Sequence, residues 1–164
     1  MKNRKLTHLD SKGNPSMVNI SGKTISLRVA RAQAVVRVGK EVVGQIQDQD
    51  LKTKKGSVFQ TAIIAGVMGA KKTSELIPLC HPLTLEDCQI SIAVDGDSLI
   101  LESSAKTEGK TGVEMEALTA VTIAALTVYD MCKAMSHNIT IEHIRLLEKT
   151  GGKKDFIYQP SKNS

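Results

Sequence analysis

Asp130 and Lys133 stand three positions apart in the apolar segment 128–134, a spacing that places both on one face of a helix. A carboxylate and an amine so placed can exchange protons with a ligand, or simply form a surface ion pair. Their neighbours Val128, Met131 and Cys132 suggest partial burial, where charges are rare unless paired or functional. Upstream, Lys52, Lys54 and Lys55 crowd the start of a predicted helix. That helix end already carries partial positive charge, so the arrangement suits a bound phosphate, although a solvated loop reads the same way. Glu114 and Glu116 fall in the first turn of another predicted helix. A carboxylate there can accept the adjacent N–H donors of a guanine-like or pterin-like edge; capping and dipole complementarity are the plainer roles. Cys80 and His81 lie between Pro78 and Pro82 in a rigid turn, where His81 could serve as acid, base or ligand. Lys149 and Lys153 flank Gly151-Gly152 and make a second cationic loop, able to close over an anion or to remain a mobile turn.

Several alternatives fail on spacing. Gly66 to Thr73 places Lys71 where a phosphate-binding loop needs its second glycine, and position 104, before Gly109-Lys110-Thr111, is serine instead of the leading glycine. Cys80, Cys88, Cys132, His137 and His143 match no zinc-ligand spacing. No carboxylate cage for magnesium is evident, so no cofactor is required, though Mg2+ could accompany a phosphorylated ligand. The chain has 22 Lys plus Arg against 17 Asp plus Glu, a net charge of +5, which fits an anionic partner. Two Tyr, two Phe and no Trp are few for a protein that stacks single-stranded bases. A basic module gripping RNA or a nucleotide without catalysis is therefore the weaker alternative.

The elements that must hold these residues follow from periodicity. Residues 26–38 alternate, with Ala30, Ala32, Ala34, Val36 and Val38 on one face, which predicts a half-buried strand. Residues 57–72 predict a helix opened by a Ser57–Gln60 capping box, and 89–105 a hairpin turning at Asp95-Gly96. Residues 111–135 predict a long helix with a second capping box, Thr111–Glu114, and an apolar circumference that calls for burial on more than one side. Residues 139–147 predict the last strand. The order β-α-β-β-α-β predicts an α+β ferredoxin-like sandwich, an antiparallel sheet with two helices on one face. Val35, Ile144 and Leu147 predict an apolar outer sheet face that needs a partner. With 164 residues, one domain is expected over 14–157, between a flexible arm 1–13 and a flexible tail 158–164. Three cysteines with no Cys-x-x-Cys pair predict a cytoplasmic protein, and no apolar run reads as long enough to cross a membrane.

Five segments taken together are specific. They are Lys55-Gly56, the run 76–83 around Cys80-His81, the run 109–120 around Glu114 and Glu116, the run 129–134, and 145–153. The chain closely resembles the molybdenum cofactor biosynthesis protein C family, the cyclic pyranopterin monophosphate synthases, from about Leu6 to about Phe156. The resemblance implies a ferredoxin-like fold assembled as a hexamer, a trimer of dimers with sites between subunits. It implies a lyase that converts 3′,8-cyclo-7,8-dihydroguanosine 5′-triphosphate to cyclic pyranopterin monophosphate and releases pyrophosphate, with no nucleic acid or membrane partner. It implies catalytic roles for Asp130, Lys133, Lys55 and His81. Leu79, Cys80, His81, Glu114, Met115, Glu116, Lys149, Lys153 and Arg28 would line the substrate. On one continuous helix Glu116 and Asp130 would lie about 21 Å apart, too far to meet at one reacting centre, so either the substrate stretches its whole length along the helix or a second copy supplies one of them.

Overall fold

The computed structural model describes residues 12–160. The chain runs β1 (Ser26–Arg37), α1 (Lys40–Val43), β2 (Lys52–Thr53), β3 (Gly56–Ser57), α2 (Val58–Lys71), α3 (Thr73–Leu76), β4 (Asp87–Asp95), β5 (Ser98–Gly109), α4 (Glu114–Cys132), β6 (Thr140–Thr150) and β7 (Phe156–Ile157). Five strands form an antiparallel sheet in the order β4-β5-β1-β6-β7. Removing the short elements leaves β-α-β-β-α-β, with α2 and α4 layered on one face. This is the ferredoxin-like α+β sandwich that the hydrophobic pattern predicts.

The core is built from small residues at its centre. Ala30, Ala32 and Ala34 of β1 are fully buried, and so are Ala117, Ala120, Ala124 and Ala125 of α4. Short side chains on both surfaces let α4 lie low on the middle of the sheet. Leu99 and Leu101 of β5 and Val121 and Val128 of α4 fill the flanks. On its other side α4 meets α2 at Gly66 and Gly69. A Cβ on Gly66 would stand 2.8 Å from the Ala120 carbonyl oxygen and 2.3 Å from Ile90 Cδ1; one on Gly69 would stand 2.6 Å from Ile123 Cγ1. Glycine at these points sets how closely the two helices approach.

Ser57 caps α2, its Oγ accepting from the Gln60 amide at 3.1 Å, as predicted. The second capping box does not form: α4 starts at Glu114, with Val113 at the cap position and no side-chain cap. Glu114 is bonded to Lys149 instead. The helix also stops at Cys132, short of Met135, where the Met135 amide turns back to the Cys132 carbonyl. The loop before α2 is a small hairpin, Lys52 paired with Ser57 and Thr53 with Gly56. Among the described residues one helix, α4, is long and apolar enough to cross a membrane by length and hydropathy, contrary to the sequence expectation; 56% of that stretch is buried, as in a core helix.

The outer sheet face differs most from expectation. It is polar and laced by ion pairs: Arg31 bridges Glu102 and Glu148 across three strands, and Arg37 meets Glu142 at 2.8 Å. Gln33 donates to the same Glu102. Two irregularities in the β1–β6 ladder break strict alternation, and Val35 stands opposite Glu142. Tyr158, expected in the tail, is held against β6: its amide donates to the Leu147 carbonyl, and its ring lies 4.9 Å from the Arg145 guanidinium.

Candidate active site

The two ends of α4 carry two charged clusters. At the C-terminal end Asp130 is gripped by two lysines. Lys133, one turn on, places Nζ 2.7 Å from Oδ1; Lys55, delivered by the β2–β3 hairpin, places Nζ 2.8 Å from Oδ2. Lys55 also donates to the Asp130 carbonyl oxygen at 3.3 Å. The hydrogen bonds from Lys133 and Lys55, aided by their charge, hold the Asp130 carboxyl down at about 2. The same bond raises the Lys133 pKa. All three side chains are more than half exposed. Exposed ion pairs add little to stability, so a three-membered cluster in water makes better sense as a binding surface than as a brace. The lysines before α2 therefore do not simply await phosphate, since Lys55 is already spent in part on Asp130.

At the N-terminal end Glu114 accepts from Lys149 Nζ at 2.8 Å, joining the first turn of α4 to β6. Gly112 makes room for this: a Cβ there would fall 1.8 Å from Glu114 Oε2. Glu116 is only 4% exposed, and burial, with the Glu114 charge nearby, pushes its pKa up. Burial also raises the Cys80 thiol, and the charge of Glu116 adds to the rise, so the 77–86 loop brings Cys80 beside α4. Such a thiol is protonated near neutrality and is a poor nucleophile. Leu79 and His81 flank it, both half-buried, while Met115 sits on the exposed side of the first turn. Arg28 projects from β1 on the helix side and donates through Nε to the Gly109 carbonyl.

The second glycine loop is pinned rather than mobile. Ser26 Oγ donates to the Gly151 carbonyl, and the Gly151 amide donates to Asp155 Oδ1. Gly151 has φ +82, and a Cβ there would meet the Leu27 carbonyl oxygen at 1.8 Å. Gly152 lies over Arg28, while Lys153 stands exposed on the loop. The sequence reading missed the parts of Gly112, Ser26 and Asp155; an Asx residue four positions after a glycine was the available signal for the last.

Lys55, Asp130 and Lys133 thus come together, as do Glu114 with Lys149 and Glu116 with Cys80. The two clusters do not meet. α4 is unbroken between Glu116 and Asp130, which sets them about 21 Å apart along the axis. Two surface clefts, of about 370 and about 200 Å³, include none of these residues. Among the described residues no three His, Cys, Asp or Glu side chains group as metal ligands.

Fold and charge together define the class: a ferredoxin-like α+β protein whose core helix carries a lysine-clasped aspartate at one end and a lysine-bound pair of carboxylates at the other. Comparison with known proteins narrows this. Residues 17–152 match the model of the MoaC family. A relative in Syntrophomonas wolfei is 52% identical over 92% of this chain and 96% of its own length; one in Xanthomonas oryzae pv. oryzae is 46% identical over 94% of each. Both are named cyclic pyranopterin monophosphate synthase. Molybdenum cofactor biosynthesis protein 1 of Drosophila melanogaster is 49% identical over 96% of this chain, which spans 28% of that longer protein. The chain belongs to the MoaC family.

Proposed function

We propose that this chain is a cyclic pyranopterin monophosphate synthase of molybdenum cofactor biosynthesis, acting on 3′,8-cyclo-7,8-dihydroguanosine 5′-triphosphate and releasing pyrophosphate. The observation that carries the reading, beside family membership, is Asp130 held between Lys55 and Lys133. With its pKa at about 2, Asp130 is ionised throughout the neutral range. It raises the Lys133 pKa and aims both lysines. When a triphosphate arrives, a lysine can turn from the carboxylate to a phosphate oxygen. It then offsets charge on the departing pyrophosphate, while Asp130, relieved of one partner, becomes a better proton acceptor. His81 is a second candidate for proton transfer. Glu116, buried at its edge, and Glu114 suit the N–H edge of the purine-derived ring.

Neither cluster suffices alone, so the site is proposed to form between copies of the chain. Antiparallel pairing of two α4 helices about a two-fold axis brings Glu116 of one against Asp130 of the other and yields two equivalent sites. Met115, Leu126 and Tyr129, exposed along α4, offer apolar surface for that contact. A hexamer built from three such dimers follows the same logic. The proposal needs no resident cofactor; Mg2+ would enter with the triphosphate. Three free cysteines fit a reducing cytoplasm. The test is incubation of the protein with the cyclic dihydro-nucleotide, reading oxidised-pterin fluorescence and pyrophosphate together. Binding without either product would sink the catalytic reading.

A further inference from the structure

The chain holds only four aromatic side chains, and one of them, Phe156, stands 40% exposed. Its place is set by register. Ala30 pairs with Lys149, and Lys149 pairs with Phe156. Directly opposed residues share a sheet face, with Cβ atoms about 4.5–5.5 Å apart. Ala30 is fully buried under the helices, and Lys149 reaches Glu114 at the start of α4. Phe156 therefore lies on the helix side, flanking the Lys149–Glu114 pair, while Ile157 pairs with Glu148 and shares the outer face. The loop that carries it is fixed at both ends, by Ser26 to Gly151 and by Gly151 to Asp155. The ring is thus presented rigidly, one side chain's reach from carboxylates suited to a purine-derived edge.

We infer that Phe156 is a substrate-binding residue, an aromatic platform on which the fused ring of the substrate stacks while Glu114 and Glu116 hold its edge. This rests on the synthase reading above. A flat apolar ring beside charged groups gives what those groups lack: a face that grips the heterocycle whatever its protonation, and orients it for the carboxylates. The four-residue loop after Gly151 then has a purpose beyond turning the chain, because its length returns β7 to Lys149 in the one register that places a ring there.

The absence of tryptophan makes the test direct. Phe156→Trp installs a single indole reporter, and Ile157→Trp installs one on the opposite face as control. Adding the cyclic dihydro-nucleotide, or GTP as a non-reacting analogue, is expected to quench emission from position 156 and not from 157. Phe156→Ala is expected to raise KM by roughly ten- to hundredfold, the span that one base–aromatic stack is worth, with a smaller change in kcat. An unchanged KM in Phe156→Ala, or a silent indole at 156, overturns the inference. So does a silent indole accompanied by a smaller oligomer in Phe156→Ala, which would assign the ring to a subunit contact. Wild-type turnover in the same assay keeps this outcome separate from failure of the synthase reading.

Discussion

Asp130→Asn preserves size and removes charge. Because the cluster is exposed, the variant should fold and melt much like the parent, while turnover falls by about 10²-fold or more. Near-normal turnover would reduce the cluster to decoration. The acid side of the activity profile should not report Asp130. A depressed carboxyl contributes above its ordinary range and loses that contribution only as pH drops from about 4 through about 2. Lys55→Ala should raise KM more than it lowers kcat and weaken the salt dependence of binding; a pure kcat effect would move Lys55 into the chemistry. Glu116 titrates in the opposite sense. Its raised pKa means that the ionised form destabilises the native state above that pKa, and that the penalty disappears as pH falls through it. Glu116→Gln should therefore melt higher than the parent near pH 8, and this advantage should vanish by about pH 4. An advantage independent of pH would count against buried charge as the cause.

The elements show where sequence is informative. β1, α2, the β4–β5 hairpin and α4 were legible because each buries one face and repeats with the matching period. Ser57 was legible as a cap because its partner is local. Glu114 was not, because a lysine 35 residues away outcompetes the local cap. The bulges of β6 were equally hidden, since a bulge is a property of two strands and the pattern of one does not report it. The same holds for the site. Asp130 with Lys133 could be read from helical spacing, whereas Lys55 joining them required the fold. The glycines of α2 give a prediction at this scale. Gly66→Ala improves helix propensity, yet its Cβ would press on the Ala120 carbonyl, which is backbone and cannot step aside. A net loss of about 1–3 kcal/mol is expected in urea unfolding. At Gly69 the obstacle is the Ile123 side chain, which can move, so Gly69→Ala should cost less. Equal costs would contradict this account of the helix contact.

At the level of the whole molecule, α4 acts as a spacer. It holds a carboxylate pair at one end and a lysine-clasped aspartate at the other, about 21 Å apart along an unbroken helix. Subunit mixing tests whether two copies complete each site. Glu116→Ala and Asp130→Asn proteins, each inactive alone, should regain activity after subunit exchange, because a mixed dimer contains one site with neither substitution. Mixed dimers seen by mass spectrometry but still inactive would exclude this pairing.

β1 also imposes an order of events during synthesis. It lies at the centre of the sheet and leaves the ribosome first, yet its partners in β5 begin about 60 residues later and those in β6 about 100 residues later. Until β5 emerges, the alanine-lined face of β1 has nothing to pair with, and α2 arrives before any sheet exists to receive it. The β4–β5 hairpin is the first long-lived local pairing available, so β1 must be captured by a hairpin already formed. The nascent chain therefore carries an unsheltered central strand while about 60 further residues are added, a window in which a chaperone that masks extended segments would raise the yield of folded protein.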